Sequence, residues 1–114
     1  MSRNHQYKAT IKWTGNLGTG TSEYKGYSRS HLIQVDGKPP IESSSDPAFR
    51  GDPNRYNPEE MLLAALSSCH MLWYLHFCAE AGIIVTSYVD HAEGTMVEDQ
   101  TGSGRFTEVI LKPS

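Results

Sequence analysis

Cysteine is scarce in this chain: among its 114 residues there are two, Cys69 and Cys78, in a stretch free of proline and glycine. On a helix, nine residues turn the second thiol to the side opposite the first and move it ~13 Å along the axis, so the pair cannot form a disulfide with each other. A disulfide framework is excluded, and a reducing cytoplasm is the expected setting. The opening Met1-Ser2-Arg3-Asn4-His5 begins no apolar segment, so no secretory signal is expected. Positive charge is not in surplus: ten Lys and Arg stand against 13 Asp and Glu, a formal net charge of −3. That balance argues against nucleic acid or an anionic membrane surface as partner. Internal repeats and low-complexity tracts are absent, and no run approaches the ~18 uninterrupted apolar residues of a membrane span. With 38% hydrophobic and 20% charged residues, one soluble domain over 1–114 is expected, small enough to gain from oligomerisation.

What is present centres on Asn57 to Gly82. Asn57 suits an N-cap, Pro58 the first helical position, and Glu59 and Glu60 set negative charge against the positive end of the helix dipole. From Met61 to Ala81 no residue breaks a helix, and Gly82 is a natural left-handed stop. The pattern predicts a helix over 58–81, about 24 residues and roughly 36 Å long. Leu62, Leu63, Leu66, Met71, Leu72, Trp73, Tyr74, Leu75 and Phe77 leave no wide polar face, so this helix is expected to be central and buried on all sides.

The flanking segments read as strands. Tyr7, Ala9, Ile11 and Trp13 alternate with Lys8, Thr10, Lys12 and Thr14, the period of a half-buried strand. A second strand is expected over Thr21–Arg29 and a short third over His31–Val35, followed by a long loop from Glu42 to Tyr56 rich in Ser, Asp, Pro and Arg. Ile83–Met96 and Arg105–Lys112 complete the set, with a polar turn over Val97–Gly104. Three strands, a long helix and two more strands predict an α+β domain of antiparallel sheets packed on the helix.

Asn57-Pro58-Glu59-Glu60-Met61-Leu62, then Ala64-Ala65 and Ser68-Cys69, resembles the signature of the OsmC/Ohr family of hydroperoxide reductases. Trp13-Thr14-Gly15, the run Ser45-Asp46-Pro47-Ala48-Phe49-Arg50-Gly51-Asp52, and Ala81-Gly82-Ile83 extend the likeness over most of the chain. The resemblance implies an OsmC-like fold assembled as an intertwined homodimer, and a thiol peroxidase acting on organic hydroperoxides in oxidative or osmotic stress. It implies attack on the peroxide by Cys69, with help from Glu59 and from an arginine of an N-terminal loop; no cofactor or metal is expected. Two departures stand out. The family's hairpin arginine is missing from Gly15–Gly20, and the further strand and second long helix of many relatives, with their second cysteine, do not follow Lys112.

The residues themselves constrain this chemistry. A thiol attacks peroxide as thiolate, and a free cysteine at pKa ~8.5 is only a few per cent ionised at neutral pH, so the site must supply positive charge or hydrogen bonds. Arginine stays charged and offers a fork of donors; Arg50, in the loop before the helix, and Arg29 are the candidates. Glu59 lies ten residues before Cys69, ~15 Å along the axis, too far for direct contact within one chain. His70 and His76 lack the spacing for a metal pair on one helix. Trp73 and Phe77 could line an apolar pocket for the organic part of a peroxide. With no second thiol in reach, an external thiol or dithiol is the expected reductant. The alternative is a non-catalytic OsmC-like domain whose pocket binds a small apolar ligand or a protein partner.

Overall fold

The computed structural model describes residues 3–98 and 104–114. The chain packs as two compact units, Met1–Glu59 and Glu60–Ser114. In the first, β1 (Thr10–Trp13), β2 (His31–Gln34) and β3 (Ile41–Ser43) form an antiparallel sheet in that order. Its register aligns Ile11 with Ile33 and Ile33 with Ile41, a cross-strand row of β-branched side chains of the kind that stabilises sheets. The β1–β2 pairing continues beyond the strands, with Thr14 N–H donating to Ser30 O and Ser28 N–H to Gly15 O. Gly15 is required here, because a Cβ would lie 1.9 Å from the Ser28 carbonyl oxygen.

The strand expected over Thr21–Arg29 is not formed. Asn16 Oδ1 accepts from the N–H groups of Gly18 and Gly20, and turns close from Ser22 to Thr19 and from Gly26 to Glu23. Local side-chain and turn bonds take the backbone donors that a ladder would use. Conversely, the long loop starts later than expected, because Ile41–Ser43 joins the sheet as β3. Beyond it, a 3-10 turn at Pro47–Phe49 is capped by Asp46, whose carboxylate accepts from Ala48 N–H.

The long helix α1 spans Pro58–Glu80, within a residue of expectation. Its end is a Schellman motif: Gly82 has φ 76°, Ile83 N–H donates to Cys78 O at 2.8 Å, and Gly82 N–H to Ala79 O at 3.2 Å. In the second unit β4 (Glu93–Glu98) pairs antiparallel with β5 (Gly104–Ile110), with a bulge at Thr95/Met96. The expected strand from Ile83 is therefore confined to its last residues, although Asp90 bridges Pro113 and Val89 exchanges backbone hydrogen bonds with Ser114. A side chain at Gly94 would meet Phe106 and Leu63 of α1, which marks where helix and hairpin meet. Part of the expected 97–104 turn lies outside the described residues.

The expectation that α1 is buried on all sides is not met by a single chain. Cys78 is its buried residue, whereas Leu72, Trp73 and Phe77 are each 58–60% exposed. By length and composition α1 is apolar enough to cross a membrane.

Candidate functional site

Cys69 sits in the middle of α1 and is exposed. It borders a shallow cleft of about 340 Å³, open along one exposed face of the helix and lined with Leu72, Trp73 and His76. Helical spacing places these residues on one side of the rod, since i+3, i+4 and i+7 return to the face of i. Trp73 stacks on Phe77 with ring centroids 5.6 Å apart and packs edge-on against His76 at 5.7 Å. His76 Nε2 lies 3.3 Å from Glu80 Oε1. The cleft is thus a mostly apolar shelf with a thiol at one end and an imidazole, tied to a carboxylate, at the other. Such a surface suits the organic part of a small molecule whose reactive group lies at the sulfur.

Cys78 lies on the opposite side of the helix and is 7% exposed. Its thiol is hydrogen-bonded with Tyr74, and that bond, followed by the Coulombic effect of Cys78, raises the Tyr74 pKa above 10.0. Tyr74 in turn packs against Tyr88 at 5.9 Å. Burial, then the Asp90 carboxylate, raises the Tyr88 phenol as well. Two residues before Cys69, Ser67 donates to Asp90 Oδ2 at 2.5 Å, and Asp90 Oδ1 accepts from Lys112 N–H at 2.6 Å. One carboxylate therefore ties the helix centre to the last stretch of chain, at lengths typical of charge-assisted bonds. Among the described residues no three His, Cys, Asp or Glu side chains converge as a metal site would require.

The remaining expected residues belong to the first unit. Glu59 is half-buried, and its Oε2 is shut from solvent without a hydrogen-bond partner. Arg50 is exposed and left-handed, φ 64°, where it caps the 3-10 turn through its backbone N–H to Pro47 O. Arg29 donates to the Tyr27 and Tyr24 carbonyls at 2.6 and 2.7 Å, and its guanidinium carbon lies 3.7 and 4.5 Å from the centres of the two tyrosine rings. The loop between them is a dense polar weave. Ser44, 1% exposed, accepts from Asp52 N–H through its hydroxyl, and a Cβ at Gly51 would overlap Ser45 O at 1.5 Å.

Sequence reasoning missed Asp90, which has no motif around it. The Arg55 side chain is 25% exposed, with Nε 3.8 Å from Asp52 Oδ2 and Nη1 buried without a partner.

Residues 51–114 match the family model described as OsmC-like protein. A solved structure, an OsmC-like protein of unknown function from Vibrio cholerae O1 biovar eltor, superposes with a TM-score of 0.83 at 32% sequence identity. The match covers 97% of this chain and 74% of that one. No curated protein matches the chain.

Proposed function

We propose that this chain, which belongs to the OsmC-like family, is a thiol-dependent peroxidase for organic hydroperoxides. The observation that carries this reading is the contrast at the thiols: Cys69 is exposed at the end of an apolar cleft, and Cys78 is buried.

The thiolate sulfur of Cys69 bonds to the terminal peroxide oxygen while the O–O bond breaks. The departing alkoxide takes up a proton and leaves as alcohol, and the sulfur, oxidised, becomes a sulfenic acid. Leu72 and Trp73 hold the organic group. An external thiol returns the sulfenic acid to thiol in two steps, through a mixed disulfide, with release of water. Cys78 does not serve as the resolving thiol, because it faces away and is inaccessible. Arginine supplies the permanent positive charge that thiolate chemistry needs, and Glu59 accepts a hydrogen bond. Other exposed apolar side chains of α1, Leu62, Leu66 and Phe77 among them, belong against a second copy in a homodimer, since covering several hundred Å² of such surface contributes many kcal/mol at ~25 cal/mol per Å². The protein works in the cytoplasm as part of an oxidative or osmotic stress response.

Brief exposure to a limiting amount of cumene hydroperoxide, followed by mass spectrometry, tests the reading. Oxidation is expected at Cys69 first. Equal or greater oxidation at Cys78 would reverse the assignment. No oxidation at either thiol would leave the cleft as a binding site for a small apolar ligand.

A further inference from the structure

The cleft beside Cys69 has a second polar end. His76 lines it together with Cys69, Leu72 and Trp73, and lies seven residues beyond the thiol, two helical turns or ~10 Å along the axis. Its ring packs edge-on against Trp73 at 5.7 Å and against Phe77 at 5.5 Å. Between thiol and imidazole the lining is apolar, supplied by Leu72 and Trp73. His76 Nε2 faces Glu80 Oε1 at 3.3 Å. A carboxylate there holds the N–H on Nε2 and leaves Nδ1 of the neutral ring as an acceptor. The second carboxylate oxygen is an acceptor as well.

Helix stability does not account for this pair. Glu80 is the last residue of α1, where the negative end of the dipole disfavours a carboxylate, and the last turn holds no basic residue to offset it. The order is also the weaker one for an i,i+4 pair, with the acid on the C-terminal side. Both side chains are more than half exposed, a setting in which an ion pair contributes little. No lysine or arginine occurs anywhere in α1, so an anionic group lying along this face meets a carboxylate and no permanent cation of the helix.

We infer that His76 and Glu80 set the substrate class of the Cys69 cleft: hydroperoxides whose apolar body ends, ~10 Å from the sulfur, in a hydrogen-bond donor, a hydroxyl or an ammonium, and not in a carboxylate. This inference rests on the thiol-peroxidase reading. The two residues touch none of the reacting atoms. They accept from the far end of the substrate while Leu72 and Trp73 cover its body, which leaves the peroxide at the Cys69 sulfur.

Four cumene hydroperoxides, carrying aminomethyl, hydroxymethyl, methoxymethyl or carboxylate at the para position, test the assignment. The second-order rate constant of each with Cys69 is divided by that of unsubstituted cumene hydroperoxide with the same protein, and by the same ratio for free cysteine. The aminomethyl and hydroxymethyl compounds are expected to exceed the methoxymethyl one about tenfold, the scale of one hydrogen bond to a charged group, and the carboxylate to fall below all three. Glu80→Gln and His76→Phe should each draw the four ratios to within about threefold of one another. Glu108→Gln, the same change of charge at an exposed position of β5, should leave them spread, a contrast that a merely structural role for the pair would not produce. If His76→Phe does not fold, as judged by circular dichroism, Glu80→Gln decides the matter. Four ratios within about threefold of one another in the wild type, or a spread that survives in Glu80→Gln, would overturn the inference. A Cys69 that reacts with none of these hydroperoxides faster than free cysteine does would instead overturn the peroxidase reading beneath it.

Discussion

The two thiols of α1 share one helix and differ in almost everything else. Cys69 opens onto a cleft shared with Leu72, Trp73 and His76, whereas Cys78, half a turn around, is buried and hydrogen-bonded with Tyr74. The backbone is the same at both places, so the difference comes from what packs on each face. A helix without a polar face can thus offer one cysteine to chemistry while keeping the other as a small core side chain.

The most forceful attempt to break this comparison exchanges the thiols' fates. Cys69→Ser is expected to lower hydroperoxide turnover by at least ~100-fold, because the hydroxyl is a far weaker nucleophile, and Cys78→Ala to change it less than twofold. Coupled thiol-consumption assays on both variants would show it. Next, native-state labelling with iodoacetamide should modify Cys69 at least ~10 times faster than Cys78, with the ratio collapsing towards one in denaturant. Burial also has a stability consequence. Cys78→Ala should cost about 1 kcal/mol in urea unfolding, the scale of one buried small apolar group, while Cys69→Ser should cost less. The smallest effect is in the phenols. Tyr74 and Tyr88 are both raised above 10.0, so absorbance at 295 nm should show two of the six tyrosines ionising after the rest. The sign follows from linkage. The native state holds these protons longer than the unfolded chain, so their contribution is complete below pH ~10 and fades as pH rises towards the raised native values. Tyr74→Phe should remove the Cys78-linked part of that lag.

The helix was legible because both its ends are written in residues with one strong conformational preference: Asn57-Pro58-Glu59-Glu60 at the start and Gly82 at the stop. The motif singles out Cys69 in that segment, and the structure leaves its thiol exposed while burying Cys78. Thr21–Arg29 was not, because its tyrosines imitate a strand while the stacking of Arg29 on Tyr24 and Tyr27 folds it into turns, a contact that no periodicity reveals. Ile83–Met96 has the composition of a strand, yet only Glu93–Glu98 finds a partner in β5. Asp90 lies 23 positions from Ser67, and a bond of that span leaves no local trace.

The central claim is that the Cys69 face of α1 is built for reaction with hydroperoxide. The most direct measurement is the second-order rate constant of Cys69 with cumene hydroperoxide in the Cys78→Ala protein, set beside that of free cysteine at the same pH. The account predicts a protein thiol at least ~100-fold faster, the scale that one preorganised donor at the reacting oxygen supplies. A rate equal to that of free cysteine would contradict it.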